Sequence, residues 1–183
     1  MKEGPITPAH NAALPFTRLV VGAADYTPVG FSRPGPTTYA HQLATLVLFT
    51  SPMQVIAENP DLLLNNPNIQ PALDVLKAVP SVWDETRVLV PSKIGELAIM
   101  ARRSGATWFL AALNGGQQPV SLHNLALSFL GKESYNAVYL SSDGPSQFTR
   151  SEHQAVNAAT PLCVPLDVGD GFVARFERPI KKR

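Results

Sequence analysis

With one cysteine, Cys163, the chain cannot close an internal disulfide. A cross-linked scaffold of the small secreted kind is therefore excluded. Charge of one sign is also missing. The formal net charge is +1, which removes the electrostatic footprint of a nucleic-acid binder or an anionic-membrane binder. The tail Lys181-Lys182-Arg183 is basic but short, and reads as a chain terminus. Long apolar runs are absent. Residues 43–49, broken by Thr45, fall well short of the about 20 residues a bilayer-spanning helix needs. The start Met1-Lys2-Glu3-Gly4-Pro5 has no apolar core, so no signal peptide is expected there. Neither nucleic acid nor membrane is an expected partner.

Motifs for metal and phosphate chemistry are missing too. The histidines His10, His41, His123 and His153 form no i,i+4 pair, and there is no Cys-x-x-Cys. No metal site is expected from this chain. There is no phosphate loop and no Gly-x-Ser-x-Gly elbow, and Asn114-Gly115-Gly116 reads as a turn.

What is present is an ordinary core-forming composition. Of 183 residues, 45% are hydrophobic and 16% charged, enough to fold without staples. Cys163, inside Leu162-Cys163-Val164, is expected to be a buried small hydrophobe. The continuous apolar run Leu19-Val20-Val21 suits a short strand covered on both faces. Residues 25–36 carry Pro28, Gly30, Pro34, Gly35 and Pro36 and read as a long ordered loop. Thr37 or Thr38 caps a helix reaching about Thr50, with almost no polar face. A helical stretch is expected near 53–57. Another should start at Asn66-Pro67, carry Ile69, Leu73 and Leu76 on its apolar stripe, and stop at Val79-Pro80.

Beyond Trp83 the texture becomes β. Strands are expected at 87–90, 96–101, 107–113, 122–130, 137–140, 162–168 and 172–176. Hairpin turns fall at Ser104-Gly105 and Gly169-Asp170-Gly171. This is the pattern of a β-sandwich. The fold class is α+β, with a boundary near Thr86 separating residues 1–86 from an all-β domain at 87–183.

Carboxylates are the remaining chemistry, since glycoside hydrolysis needs a pair across the scissile bond. Glu58, Asp61 and Asp74 fall on solvent-facing helix or linker positions. Asp84 and Glu85 are adjacent and suit a domain junction. Asp25 lies just past the candidate strand in an uncharged segment. It can hold an arginine or a sugar hydroxyl, or equally form an ion pair or an Asx turn before Pro28. Trp83 and Trp108 are either a stacking platform for a sugar or core residues. Composition and spacing leave the function open at this point.

Several blocks in order narrow it. They are His10-Asn11, Pro15-Phe16-Thr17-Arg18, Gly22-Ala23-Ala24-Asp25-Tyr26-Thr27-Pro28, Thr37-Thr38-Tyr39-Ala40-His41-Gln42-Leu43-Ala44, Val79-Pro80-Ser81-Val82-Trp83-Asp84-Glu85-Thr86, and Ala101-Arg102-Arg103 with Trp108. Together they resemble the late part of glycoside hydrolase family 97. That resemblance implies the helical remnant of the end of a (β/α)8 catalytic barrel, followed by an antiparallel β-sandwich. It implies an enzyme of α-glucosidase or α-galactosidase type that binds calcium near its catalytic carboxylates. A whole barrel takes about 250 residues, more than this chain has. Most catalytic carboxylates are then expected upstream of His10, leaving Glu3 as the one candidate catalytic remnant. His10, Arg18 and Asp25 are the substrate-binding candidates, unless Arg18 and Asp25 pair to fix their loop. Calcium belongs to the complete enzyme and none is expected on this chain alone. The expected partners are carbohydrate and either a second copy of the chain or a missing upstream barrel chain. A periplasmic or secreted location is implied for the full-length family. The other reading is a non-catalytic carbohydrate-binding or structural β-sandwich module that self-associates.

Overall fold

The structure is a computed structural model and describes residues 6–179. Five short helices come first: α1 (Pro8–Ala13), α2 (Arg18–Val21), α3 (Tyr39–Leu48), α4 (Pro60–Asn65) and α5 (Leu73–Ala78). Eight strands follow: β1 (Glu85–Val88), β2 (Leu97–Ser104), β3 (Thr107–Asn114), β4 (Val120–Leu122), β5 (Tyr135–Ser142), β6 (Phe148–Val156), β7 (Val164–Leu166) and β8 (Gly171–Glu177). Six of them form one antiparallel sheet in the order β1-β2-β3-β8-β5-β6, and β4 pairs with β7 in a second, small sheet. This is the α+β chain with a β-sandwich that the sequence pattern predicts.

The apolar runs of β2 and β3 follow from burial on both faces. Ala98, Met100, Phe109, Ala111 and Leu113 point into one core. Leu97, Ile99, Ala101, Leu110 and Ala112 point into the other, under β4 and β7. The first core is closed by α3. Thr38 caps this helix by accepting from the His41 N–H, and nine of its ten residues are buried. Its far side meets Val29, Phe31, Ile69, Ala72 and Val75. An all-round apolar helix needs cover on several sides, and here the chain itself supplies it.

Several local expectations are corrected. Leu19-Val20-Val21 is not a strand but lies in α2. With no neighbouring strand to pair with, its backbone closes locally, as in the Val20 N–H to Thr17 carbonyl bond. Residues 53–57 form no helix, and the Ala57 N–H donates to the Pro28 carbonyl instead. The Asn-Pro start signal is used at Asn59-Pro60, which opens α4. At Asn66 the side chain instead makes an Asx turn, accepting from the Asn68 N–H. Only the start of 122–130 is strand. Asn124 adopts φ 53° and breaks it, and Ser128–Leu130 is a 3-10 turn. Strand β6 is absent from the sequence expectation because its outer-edge residues are polar and show no apolar alternation. Cys163 is exposed, not buried: its neighbours Leu162 and Val164 point inward, so the period-two alternation turns it outward.

Candidate functional site

Glu3 lies outside the described residues. His10 is exposed on α1, whose N-cap is Thr7. Arg18 is exposed on α2 and donates to the carbonyls of Gly22 (3.0 Å) and Ala23 (3.4 Å). Among the described residues no hydrogen bond or ion pair joins Arg18 to Asp25, so the alternative in which the two pair to fix their loop does not hold. The guanidinium fixes the loop through backbone carbonyls instead. Asp25 is exposed and carries no side-chain hydrogen bond among the described residues.

The loop bearing Asp25 is held from both sides. Upstream, the Ala24 N–H donates to the Thr50 carbonyl at 3.0 Å, and Tyr26 meets Phe49 edge-on at 4.6 Å. Downstream, buried Val29 and Phe31 anchor it, and Phe31 packs on Tyr39 and Phe148. Val29 has φ 67°, an unfavourable conformation for a β-branched residue. That strain, on the order of 1–3 kcal/mol, is sustained by complete burial of the side chain.

Thr50 is in turn positioned by Arg102, on β2. The Arg102 guanidinium is buried and donates to the carbonyls of Val47 (2.9 Å) and Phe49 (3.2 Å) and to the hydroxyls of Thr50 and Thr86 (both 2.9 Å). The Trp83 ring lies 5.1 Å from it. No carboxylate pairs with it among the described residues. Its countercharge is the row of free carbonyls at the end of α3. Burial lowers its pKa to about 10, which leaves it cationic at neutral pH.

The buried histidine is His41, not His10. Asn11 Nδ2 donates to His41 Nε2 at 3.0 Å inside the core. Burial lowers the His41 pKa to about 4; the carbonyls of Asp170 and Gly169 oppose that shift without reaching hydrogen-bonding geometry at Nδ1. Asp170 ties the same corner together. Its Oδ1 accepts from Thr38 Oγ1 (2.7 Å), Ser142 Oγ (2.6 Å) and the Gly171 N–H (2.7 Å). Sequence inspection offered no signal for Asp170 beyond its place in a Gly-Asp-Gly turn.

Trp108 is a core residue, and Trp83 is partly buried and packs against the core. Trp108 is buried against Phe129 under Arg87 and Arg103; Trp83 lies edge-on to Phe109 with Arg102 over its face. A cavity of about 570 Å³ lies between Ala9 of α1, residues 91–97 and residues 114–120. Its one carboxylate, Glu96, is paired with Lys93 at 2.6 Å. No acid pair of the kind glycoside hydrolysis uses lines it. Large apolar side chains are exposed next to Arg18 and across from its loop: Val20 (71%), Val21 (89%) and Met53 (74%).

Comparison with known proteins gives this arrangement a class. The family model described as "Glycosyl-hydrolase 97 C-terminal, oligomerisation" matches residues 82–177, more than half of the chain. The chain belongs to glycoside hydrolase family 97, of which it is a C-terminal part. It is 35% identical over 172 residues to a Streptomyces bingchenggensis protein named "Probable retaining alpha-galactosidase", covering 92% of this chain and 26% of that one. It is 32% identical over 188 residues to a Bacteroides thetaiotaomicron retaining alpha-galactosidase, covering 92% and 27%. A family 97 enzyme from Pseudoalteromonas sp. strain K8, solved with acarbose, superposes with a TM-score of 0.81 at 27% identity, covering 95% of this chain and 29% of that one. A beta-arabinopyranosidase structure superposes with a TM-score of 0.80 at 26% identity, covering 92% and 27%. The chain thus spans about a quarter of the length of the relatives it matches.

Proposed function

We propose that this chain is the C-terminal part of an α-glycosidase acting on α-galactosides in preference to α-glucosides, and that it is catalytically incomplete alone. The reading rests on family membership combined with coverage of about a quarter of two relatives named retaining alpha-galactosidases. In it, residues 1–86 are the end of the catalytic barrel. The exposed Val20, Val21 and Met53 form the face that the upstream barrel covers, which accounts for large apolar side chains left in water. His10, Arg18 and Asp25 then line the sugar pocket at the rim of that face. The chain contributes hydroxyl recognition and loop rigidity. The acid that protonates the glycosidic oxygen and the carboxylate that attacks the anomeric carbon come from the upstream part. In this reading calcium, too, is a feature of the complete enzyme and is held by carboxylates upstream of this chain.

The test is complementation. The chain is assayed on p-nitrophenyl α-galactoside and α-glucoside with calcium, alone and with the upstream portion of a family 97 enzyme added as a separate chain. No turnover alone and galactoside turnover on mixing, reduced at least tenfold by Asp25→Asn, is the expected outcome. Turnover by the chain alone that Glu3→Gln abolishes would falsify the proposal.

A second reading, a non-catalytic module that self-associates, is favoured by the family description of residues 82–177 as an oligomerisation domain. It is compatible with the first.

A further inference from the structure

We propose that β1 is the edge through which this chain pairs with a second copy of itself, antiparallel, with Thr86 on the two-fold axis. The inference rests on the reading that residues 82–177 self-associate, and adds the surface and its register.

Strand β1 ends the six-stranded sheet. The Leu89 N–H donates to the Ile99 carbonyl, continuing the Glu85–Arg103 and Arg87–Ala101 register. Backbone groups alternate along an antiparallel ladder. Those of residues 85, 87 and 89 therefore face β2, and those of Thr86 and Val88 face outward. An open edge with outward N–H and C=O groups is a template for another strand.

Exposed apolar side chains lie on it and next to it in sequence. Val82 (66%), Val88 (56%), Val90 (83%) and Ile94 (59%) are all exposed. Elsewhere in 82–177 the described residues leave one large apolar side chain comparably exposed, Val168 (46%). The opposite edge, β6, presents Arg150, Ser151, Glu152, His153 and Gln154, the kind of charged surface that blunts pairing.

Charge selects the register. Outward-facing residues must oppose outward-facing residues, so registers differ by steps of two. With Thr86 opposite its own copy, Glu85 of each chain stands opposite Arg87 of the other, a close non-hydrogen-bonded pair. Within one chain these two already form a 2.7 Å ion pair on one face of β1, so they can exchange partners across the axis. A shift in one direction brings Arg87 opposite Arg87; the other direction brings Glu85 opposite Glu85. Like charges directly opposite disfavour both. The Thr86-centred register is the one the sequence complements.

Sedimentation velocity on the full chain tests this. The wild type dimerises in the proposal. Val88→Pro removes an outward N–H that the intrachain ladder does not use, and should weaken dimerisation at least tenfold with the circular dichroism spectrum unchanged. Glu85→Arg and Arg87→Glu should each weaken the homodimer at least tenfold. An equimolar mixture of these two restores dimer, because every cross-axis pair then joins Arg to Glu. A wild-type monomer at roughly 100 µM overturns both the self-association reading and this surface. A dimer that ignores Val88→Pro but dissociates with Val21→Asp overturns the surface alone and assigns the contact to the α2 face. A mixture that fails to recover dimer overturns the register.

Discussion

Arg102 shows how much one side chain can carry. It closes the end of α3, holds Thr50, and through the Thr50 carbonyl fixes Ala24 next to Asp25. Arg102→Met keeps the apolar stem and removes four hydrogen bonds, leaving buried carbonyls without partners. The expected cost is about 3 kcal/mol, read from the midpoint of urea unfolding at constant slope. His41 carries a different signature. Above pH 6.5 it is neutral whether folded or unfolded, and stability is unaffected. As pH falls from 6.5 towards 4 the unfolded chain takes up a proton that the folded chain, with its pKa near 4, does not. Stability therefore falls over that window, by about 3 kcal/mol in full. His41→Gln removes this part of the acid limb. Urea midpoints at pH 7 and pH 4.5 should lie closer together in the variant than in the wild type.

At the scale of elements, contact between α3 and the sheet is set by a residue with no side chain. A Cβ on Gly171 would stand 2.5 Å from the His41 Cα and 2.6 Å from its nitrogen. The obstacle is helix backbone, which cannot swing aside. Gly171→Ala should cost about 3 kcal/mol, at the upper end for overpacking, or prevent folding. Thermal unfolding, with soluble yield as a second readout, measures it. Gly115 is in similar contact with Ala12 and Pro8 of α1. None of these approaches could be read in the sequence, where both glycines look like turn residues. The long helix was legible because its cap, Thr38, and its apolar residues are local signals. So were β2, β3, β5 and β8, whose apolar runs report their own burial. What stayed hidden depends on neighbours distant in sequence. Strand β6 is polar because it lies at an edge. Leu19–Val21 has the composition of a strand but adopts a helical turn where no strand stands beside it. At the candidate site, Asp25 and Arg18 were legible as a motif, whereas His41, Asp170 and the role of Arg102 come together only through tertiary contacts.

At the scale of the whole molecule, the two halves of the sequence share one core. Ala98, Met100, Phe109, Ala111, Leu113, Leu140 and Val173 from the sheet meet α3 and α5 from the N-terminal half. Arg150 and Arg175 add ion pairs to Asp74 on α5. A polypeptide of residues 82–179 has the complete set of strands but a bare apolar sheet face. It should be insoluble or bind a hydrophobic dye strongly, whereas residues 24–179, which keep α3 together with the Val29 and Phe31 that cover it, should be soluble and unfold in one transition. Size-exclusion chromatography with dye fluorescence distinguishes the two. Equal behaviour would show that α3 is dispensable.

The fit of α3 into the sheet also bears on inheritance. A gene rearrangement that moved the strands alone behind a different catalytic body would deliver a domain missing its lid. The smallest segment that can be exchanged between proteins begins ahead of Thr37. Descent should therefore carry α3 and the β-domain together as one heritable piece, with Gly171 as the seam between them.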